Sequence, residues 1–255
     1  MNDYIRVCDV EKYYGNGSNV TKAVDRVSFN VEKGEFVGVM GASGSGKTTL
    51  LNLLATIDQV TAGHIYYQDT DITELSEDDL SEFRKNHLGF VFQEYNLLDT
   101  LTIEENIILA LTLQCEEKKQ MEETCSQIVK LLGIEDIKDK FPYQVSGGQK
   151  QRCACGRALA NHPKLLLADE PTGALDSHSA QTLLETFTNL NQSMGATILM
   201  VTHDAFSASY CSRILFLKDG RIFHELVRGE KNRKAFLQEI LDVLSLTGGE
   251  LSDAR

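Results

Sequence analysis

Three runs in the first third of the chain, IRVCDV, AVDRVSFNV and EFVGVM, are rich in β-branched and apolar residues and are separated by the turn-formers GNGS and EKG, so each predicts a strand. After Gly46 the apolar spacing becomes helical through about Ala55. GHIYY then predicts a strand, SEDDLSEFRKN a capped helix running from acidic to basic, and HLGFVFQ a strand that closes on Gln93. Between about Glu94 and Gln151 strand signals vanish, and TIEENIILALTL and MEETCSQIVKLLGI carry helical spacing. Strands return at KLLLA, ATILMVT and RILFLKDGRIF, with a helix around HSAQTLLETFTNLNQ. The end is charged at RGEKNRK and continues as AFLQEILDVLSL, whose spacing predicts a terminal helix on the surface.

Wholly apolar strands alternating with helices imply an α/β fold with a mostly parallel sheet covered on both faces. The strand-rich start adds an N-terminal antiparallel β-region, and the strand-free stretch an inserted α-helical subdomain. The expected division is a core of 1–93 and 152–225, an insertion of 94–151, and a helical tail of 226–255. No internal repeat interrupts this order.

Composition narrows the class. The 255 residues are 42% hydrophobic and 24% charged, which suits a folded domain with a continuous core. No apolar run approaches the ~18 residues a membrane helix needs. The start, MNDYIRVCDVEKYYG, lacks a basic region followed by an apolar one, so the chain is expected to stay in the cytoplasm. A net charge of −12 argues against a general role in holding nucleic acid. The six cysteines (Cys8, Cys115, Cys125, Cys153, Cys155, Cys211) are irregularly spaced, and Cys153 and Cys155 face different sides of a helical segment, so reduced structural thiols are expected.

The strongest chemical signal is GASGSGKTT, comprising Gly41, Ala42, Ser43, Gly44, Ser45, Gly46, Lys47, Thr48 and Thr49. It places glycine, four residues and Gly-Lys-Thr between a strand and a helix, the pattern of a phosphate-binding loop. Glycines let successive amides point at phosphate oxygens, and the helix start adds roughly half a positive charge. Lys47 is expected to reach the β- and γ-phosphates, and the Thr48 hydroxyl to bind Mg2+. LLLADE then delivers two adjacent carboxylates at a strand end: Asp169 for the metal, Glu170 to polarise an attacking water. VSGGQKQR supplies a second amide-rich helix start at Ser146, Gly147, Gly148 and Gln149, superfluous for a nucleotide already held by the first loop. It makes sense if it serves a nucleotide on another chain.

VSGGQ resembles the signature motif of ABC ATPases, with Val145 where leucine is commoner. The resemblance covers roughly residues 4 to 225 and implies a RecA-like phosphate-loop NTPase core, ATP and Mg2+ as ligands, and ATP hydrolysis. It implies that Gln93 touches metal and water, that Asp176, in ALD, lies on a loop crossing to a partner subunit, and that His203 contacts the γ-phosphate. It also implies that Tyr14, rather than Tyr13, stacks on adenine. FVFQEYNLLDTLTIEENI and DEPTGALDS are similar to the branch of macrolide, lipoprotein-releasing and antimicrobial-peptide systems. Within it, GASGSGKTTLLN, IDQV, THDAFSASYCSRI and the tail KDGRIFHELVRGEKNRKAFLQEI look most like bacitracin-type transporters. The expected partners are a second copy of the chain in a head-to-tail ATP sandwich, an integral-membrane permease and a sensor histidine kinase. The chain would then sit on the inner face of the membrane through its permease. An alternative is the ATPase of a lipoprotein-releasing or cell-division complex. A soluble DNA-repair or translation ATPase fits less well, since the chain lacks long heptad coils and has one cassette.

Overall fold

A computed structural model describes residues 3–15, 19–113 and 117–249. The strands are β1 (Asp3–Tyr14), β2 (Thr21–Glu32), β3 (Phe36–Met40), β4 (Ala62–Tyr67), β5 (Thr70–Asp71), β6 (Leu88–Val91), β7 (Leu165–Asp169), β8 (Thr197–Thr202), β9 (Arg213–Lys218) and β10 (Arg221–Val227). The helices are α1 (Lys47–Leu54), α2 (Glu77–His87), α3 (Ile103–Thr112), α4 (Lys118–Leu131), α5 (Gly147–Leu159), α6 (Ser177–Met194), α7 (Ala205–Ala208) and α8 (Arg233–Gly249). None of the described helices is long and apolar enough to cross a membrane.

Two sheets form. One is antiparallel in the order β2-β1-β4-β5; the other runs β10-β9-β3-β8-β7-β6, parallel except for the β9–β10 hairpin. The fold is therefore the expected α/β architecture with an antiparallel N-terminal region. The central strands β3, β7 and β8 are buried at every position because both faces are covered. Phe36 and Met40 of β3, Leu166 of β7 and Ile198 of β8 enter one core with the helices α3 to α8. Their neighbours Val37, Leu165 and Leu199 enter a second core, shared with α1 and the antiparallel sheet. Period-two alternation thus splits each strand between two cores.

Local signals explain the helix starts. Ser76 caps α2 above three acidic residues, and Thr102 closes a capping box with Glu105 at α3. Helices α3 and α4 pack on α5, and Gly156 is what lets them close in, because a Cβ there would press on Ile107, Ile128 and Leu132.

Three sequence-based expectations need correction. The strand β6 ends at Val91, so Gln93 lies beyond it, exposed in a turn, where the backbone turns toward the helical segment. α5 runs unbroken from Gly147 to Leu159, so a division at 151/152 cuts through a continuous helix. The tail is not a surface appendage: its first residues, Leu226 and Val227, complete β10, and Phe236 and Ile240 of α8 are fully buried in the first core. Burying two such side chains is worth about 1.5–3 kcal/mol each, enough to hold the helix down.

Burial also fixes the thiol chemistry. Burial pushes Cys125 up to about 11 and Cys153 to about 12, and raises Cys155 and Cys211 further still. Cys115 lies outside the described residues. The native protein at pH 8 should therefore leave Cys125, Cys153, Cys155 and Cys211 unmodified by iodoacetamide, and all four should label after denaturation, read by peptide mass spectrometry. The sign for stability follows. Above the ordinary thiol value of 9.0 the unfolded chain releases these protons while the fold retains them, so unfolding midpoints should fall as pH rises past 9.

Candidate nucleotide site

The site is built at the carboxyl edge of the parallel strands, where β3, β6, β7 and β8 all end. From β3 the chain turns through residues 41–46 into α1. Gly46 adopts φ 101° and lies against the Ala23 carbonyl, where a Cβ would overlap that oxygen; a Cβ at Gly41 would overlap the Leu217 carbonyl. The loop is thus pressed between β2 and β9, with no room for a side chain at Gly41 or Gly46. The turn of the β9–β10 hairpin adds a strap: Gly220 N–H donates to the Ser45 carbonyl at 3.1 Å, and Asp25 N–H to the Gly220 carbonyl at 2.9 Å.

Within this frame the polar groups lack protein partners suited to them. No side chain caps the start of α1, and the buried Ser45 hydroxyl has no hydrogen-bond partner among the described residues. Lys47, only 7% exposed, donates from Nζ to the carbonyls of Gly41 (3.0 Å) and Ala42 (2.9 Å), and burial lowers its pKa. An uncapped helix start, a buried ammonium and an orphan hydroxyl suit a phosphate chain. The helix start and Lys47 border a cavity of about 540 Å3 whose wall includes Gly44, Thr48, Thr49, Gln93, Glu170 and His203.

The acids lie across from the loop. Asp169, at the end of β7, accepts from the Thr48 hydroxyl at 3.2 Å; burial raises its pKa, with that hydrogen bond opposing. Glu170 follows in a left-handed conformation (φ 45°), a strained choice for a side-chain-bearing residue that turns its carboxylate toward β8. There Oε1 lies 2.9 Å from His203 Nδ1, and Oε2 accepts from the His203 backbone N–H at 3.4 Å. Thr48, Asp169 and Gln93 offer hard oxygen donors, the set that Mg2+ prefers, so the residues present fit that ion.

Other expected residues do not line that cavity. Tyr14 ends β1 and is 44% exposed; its hydroxyl donates to Asp58 at 2.6 Å, and the Lys12 ammonium lies 5.0 Å from its ring centre. Ser146 caps α5 in a capping box with Gln149. Asp176 caps α6, accepting from the His178 and Ser179 backbones at 3.0 Å and from the Ser179 hydroxyl, which lowers its pKa. The two caps are neighbours, since a Cβ on Gly148 would meet the Ser179 side chain. Neither Ser146–Gln149 nor Asp176 borders the cavity at the loop. Thr21, Lys22 and Ala23 of β2 do border it, and sequence reading missed them. They carry no motif, and only the packing of the antiparallel sheet on the loop reveals them.

Residues 24–173 match the family model described as ABC transporter. The chain is 48% identical over 249 residues to the bacitracin export ATP-binding protein BceA of Halalkalibacterium halodurans, covering 98% of each chain. It is 49% identical over 253 residues to the ABC transporter ATP-binding protein YxdL of Bacillus subtilis, covering 99% of this chain and 98% of that one. A solved dimeric structure of the ATP-binding cassette MJ0796 in a post-hydrolysis state, bound to ADP and Pi, aligns with a TM-score of 0.84 at 37% identity, covering 88% of this chain and 98% of the other.

Gly46→Ala tests the loop's geometry. The left-handed conformation alone costs an alanine about 1–2 kcal/mol, and the overlap with the Ala23 carbonyl adds to it. The variant should lose measurable ATP affinity in equilibrium binding and unfold at lower temperature. Gly44→Ala, where no atom lies within 4 Å of the new methyl, should pay only the conformational cost.

Proposed function

Because this chain belongs to the ABC transporter family, we propose that it is the ATP-hydrolysing engine of a transporter that confers export of, or resistance to, peptide antibiotics of the bacitracin kind. The observation that carries the reading is likeness to BceA along nearly the whole of both chains. The ATPase assignment stands on the family itself and on a relative held with ADP and Pi.

In this reading the loop amides and Ser45 wrap the phosphates. Lys47 leaves the Gly41 and Ala42 carbonyls for the β- and γ-phosphate oxygens, a stronger partner than two neutral carbonyls. Thr48, Asp169 and Gln93 would hold Mg2+, which when bound neutralises charge on the phosphates. Glu170 takes the proton of the attacking water as its oxygen bonds the γ-phosphorus and the bond to the bridging oxygen breaks, leaving ADP and inorganic phosphate. His203, already hydrogen-bonded to Glu170, holds that carboxylate in register and faces the γ-phosphate. Tyr14 stacks on adenine once it turns from Asp58.

The second amide cradle, Ser146 to Gln149, lies off the cavity of its own chain, so we assign it to the nucleotide of a second copy, arranged head to tail. The dimeric MJ0796 cassettes support that arrangement. Asp176, beside the cradle, would sit at the same seam. The core would bind nucleotide, and the helical segment from residue 94 into α5 would act as its arm. The continuous α5 then links the arm rigidly to the core, and the turn at Gln93 joins the γ-phosphate to it. That arm would press on a membrane permease, placing the chain on the inner face of the membrane. A sensor histidine kinase as companion rests on the bacitracin-type resemblance alone.

Glu170→Gln should keep ATP affinity while slowing steady-state phosphate release by ~10²–10⁴-fold, the usual contribution of a positioned base. Near-normal turnover would remove Glu170 from that role. The same variant should pass from monomer to dimer on adding ATP, read by light scattering; a variant that binds ATP and stays monomeric would refute the sandwich. Deleting the gene should raise sensitivity to bacitracin-like peptides in inhibition assays. Unchanged sensitivity across peptide antibiotics would favour the lipoprotein-releasing alternative.

A further inference from the structure

Away from the nucleotide, a second cavity of about 400 Å3 opens between α4, α6 and the start of β1. Ile128 and Leu131 of α4 form one wall, Leu190 and Met194 of α6 another, and Tyr4 of β1 a third. Leu131 and Met194 at its mouth are 51% and 62% exposed, a large apolar surface for residues of this size. The α6 side is rigid: Gly195 ends the helix in a left-handed turn, and Asn191 Nδ2 ties that end to the Gly34 and Ala196 carbonyls at 2.7 and 2.8 Å. The volume falls within the ~300–1,000 Å3 common for small-ligand sites.

Its polar side chains are few: the neutral Gln127 amide, the Tyr4 phenol and a basic set. Lys33, Lys164 and His162 line it, and no aspartate or glutamate does, although the chain carries 37 acids against 25 lysines and arginines. Neither Lys33 nor Lys164 is ion-paired among the described residues. Tyr4, only 5% exposed, also lines the cavity; its hydroxyl takes no hydrogen bond among the described residues, and burial pushes its pKa up to about 12. The phenol is protonated and has no protein partner, so its O–H is free to donate to a ligand in the cavity. The cavity therefore offers an apolar body and a cluster of donors for a negative head.

We propose that this cavity binds a medium-chain fatty-acid anion, its acyl chain between α4 and α6 and its carboxylate at Tyr4, Lys33 and Lys164. An acyl chain fits better than a peptide. Each residue of an extended peptide brings a donor and an acceptor that must be satisfied, and the apolar walls have little to offer them. An acyl chain brings none, and its single carboxylate meets the basic rim.

Calorimetric titration of the full chain with sodium dodecanoate, below its micelle concentration, tests this. One equivalent should bind, at least about tenfold more tightly than dodecanol, which lacks the charge, or butanoate, which lacks the body; about 1.4 kcal/mol per tenfold is within reach of charge-assisted hydrogen bonds. Lys33→Glu with Lys164→Glu, two exposed positions that leave the fold intact, should weaken dodecanoate about tenfold or more and leave dodecanol unchanged. Tyr4→Phe should weaken dodecanoate alone, with unfolding midpoints confirming the fold. Dodecanol binding as tightly as dodecanoate, several equivalents per chain, no binding at all, or lysine variants that bind as wild type would each overturn the proposal.

Discussion

The candidate nucleotide site depends on two close backbone approaches. Gly41 lies under the Leu217 carbonyl and Gly46 against that of Ala23, so backbone meets backbone on both sides of the loop. Side-chain-free contact of this kind leaves the loop's amides no freedom to turn away, and the strap from Gly220 closes its third side. The elements that press on the loop come from both sheets, β2 from one and the β9–β10 hairpin from the other. The antiparallel sheet is therefore not a decoration on the parallel one; it forms part of the loop's mould.

The same constraint sets the electrostatics. A loop held this tightly keeps Lys47, Asp169 and Glu170 out of water and close together, although each would be better hydrated apart. Burial lowers the pKa of Lys47 and raises that of Asp169, so both feel the cost of their place. The left-handed backbone at Glu170 is a further cost, and it is what aims the carboxylate at His203 rather than into the core. Strain and desolvation concentrated at one edge of an otherwise well-packed sheet are what a site prepared for a charged ligand displays.

Much of this was legible in advance, for identifiable reasons. Continuous apolar runs such as LLLAD and TILMVT admit one reading, because a strand covered on both faces has no polar side. Helix starts at Ser76 and Ser146 were readable because capping is local chemistry between residues two or three apart, whereas the caps at Thr102 and Asp176 emerge from the fold. The strand reading runs on to Gln93 because the apolar run continues through Phe92, whereas pairing with β7 stops at Val91. The tail was read as a surface helix because spacing shows that a helix has an apolar stripe, not what covers it; Phe236 and Ile240 reach the core only because α7 and β10 bring α8 there.

By itself, then, the sequence determined what is encoded within a few residues: the phosphate loop, the adjacent carboxylates, the caps, and the alternation of strand and helix. Tertiary structure alone decided which distant backbones close on that loop, that Thr21, Lys22 and Ala23 border the cavity beside it, and that Ser146–Gln149 stands off that cavity. It also decided that Tyr4, Lys33 and Lys164 gather around a second cavity far along the chain. The reason is physical. Hydrogen-bonding and propensity act between neighbours and leave their mark in the order of residues, whereas packing joins residues more than a hundred positions apart through shape, which no local pattern records.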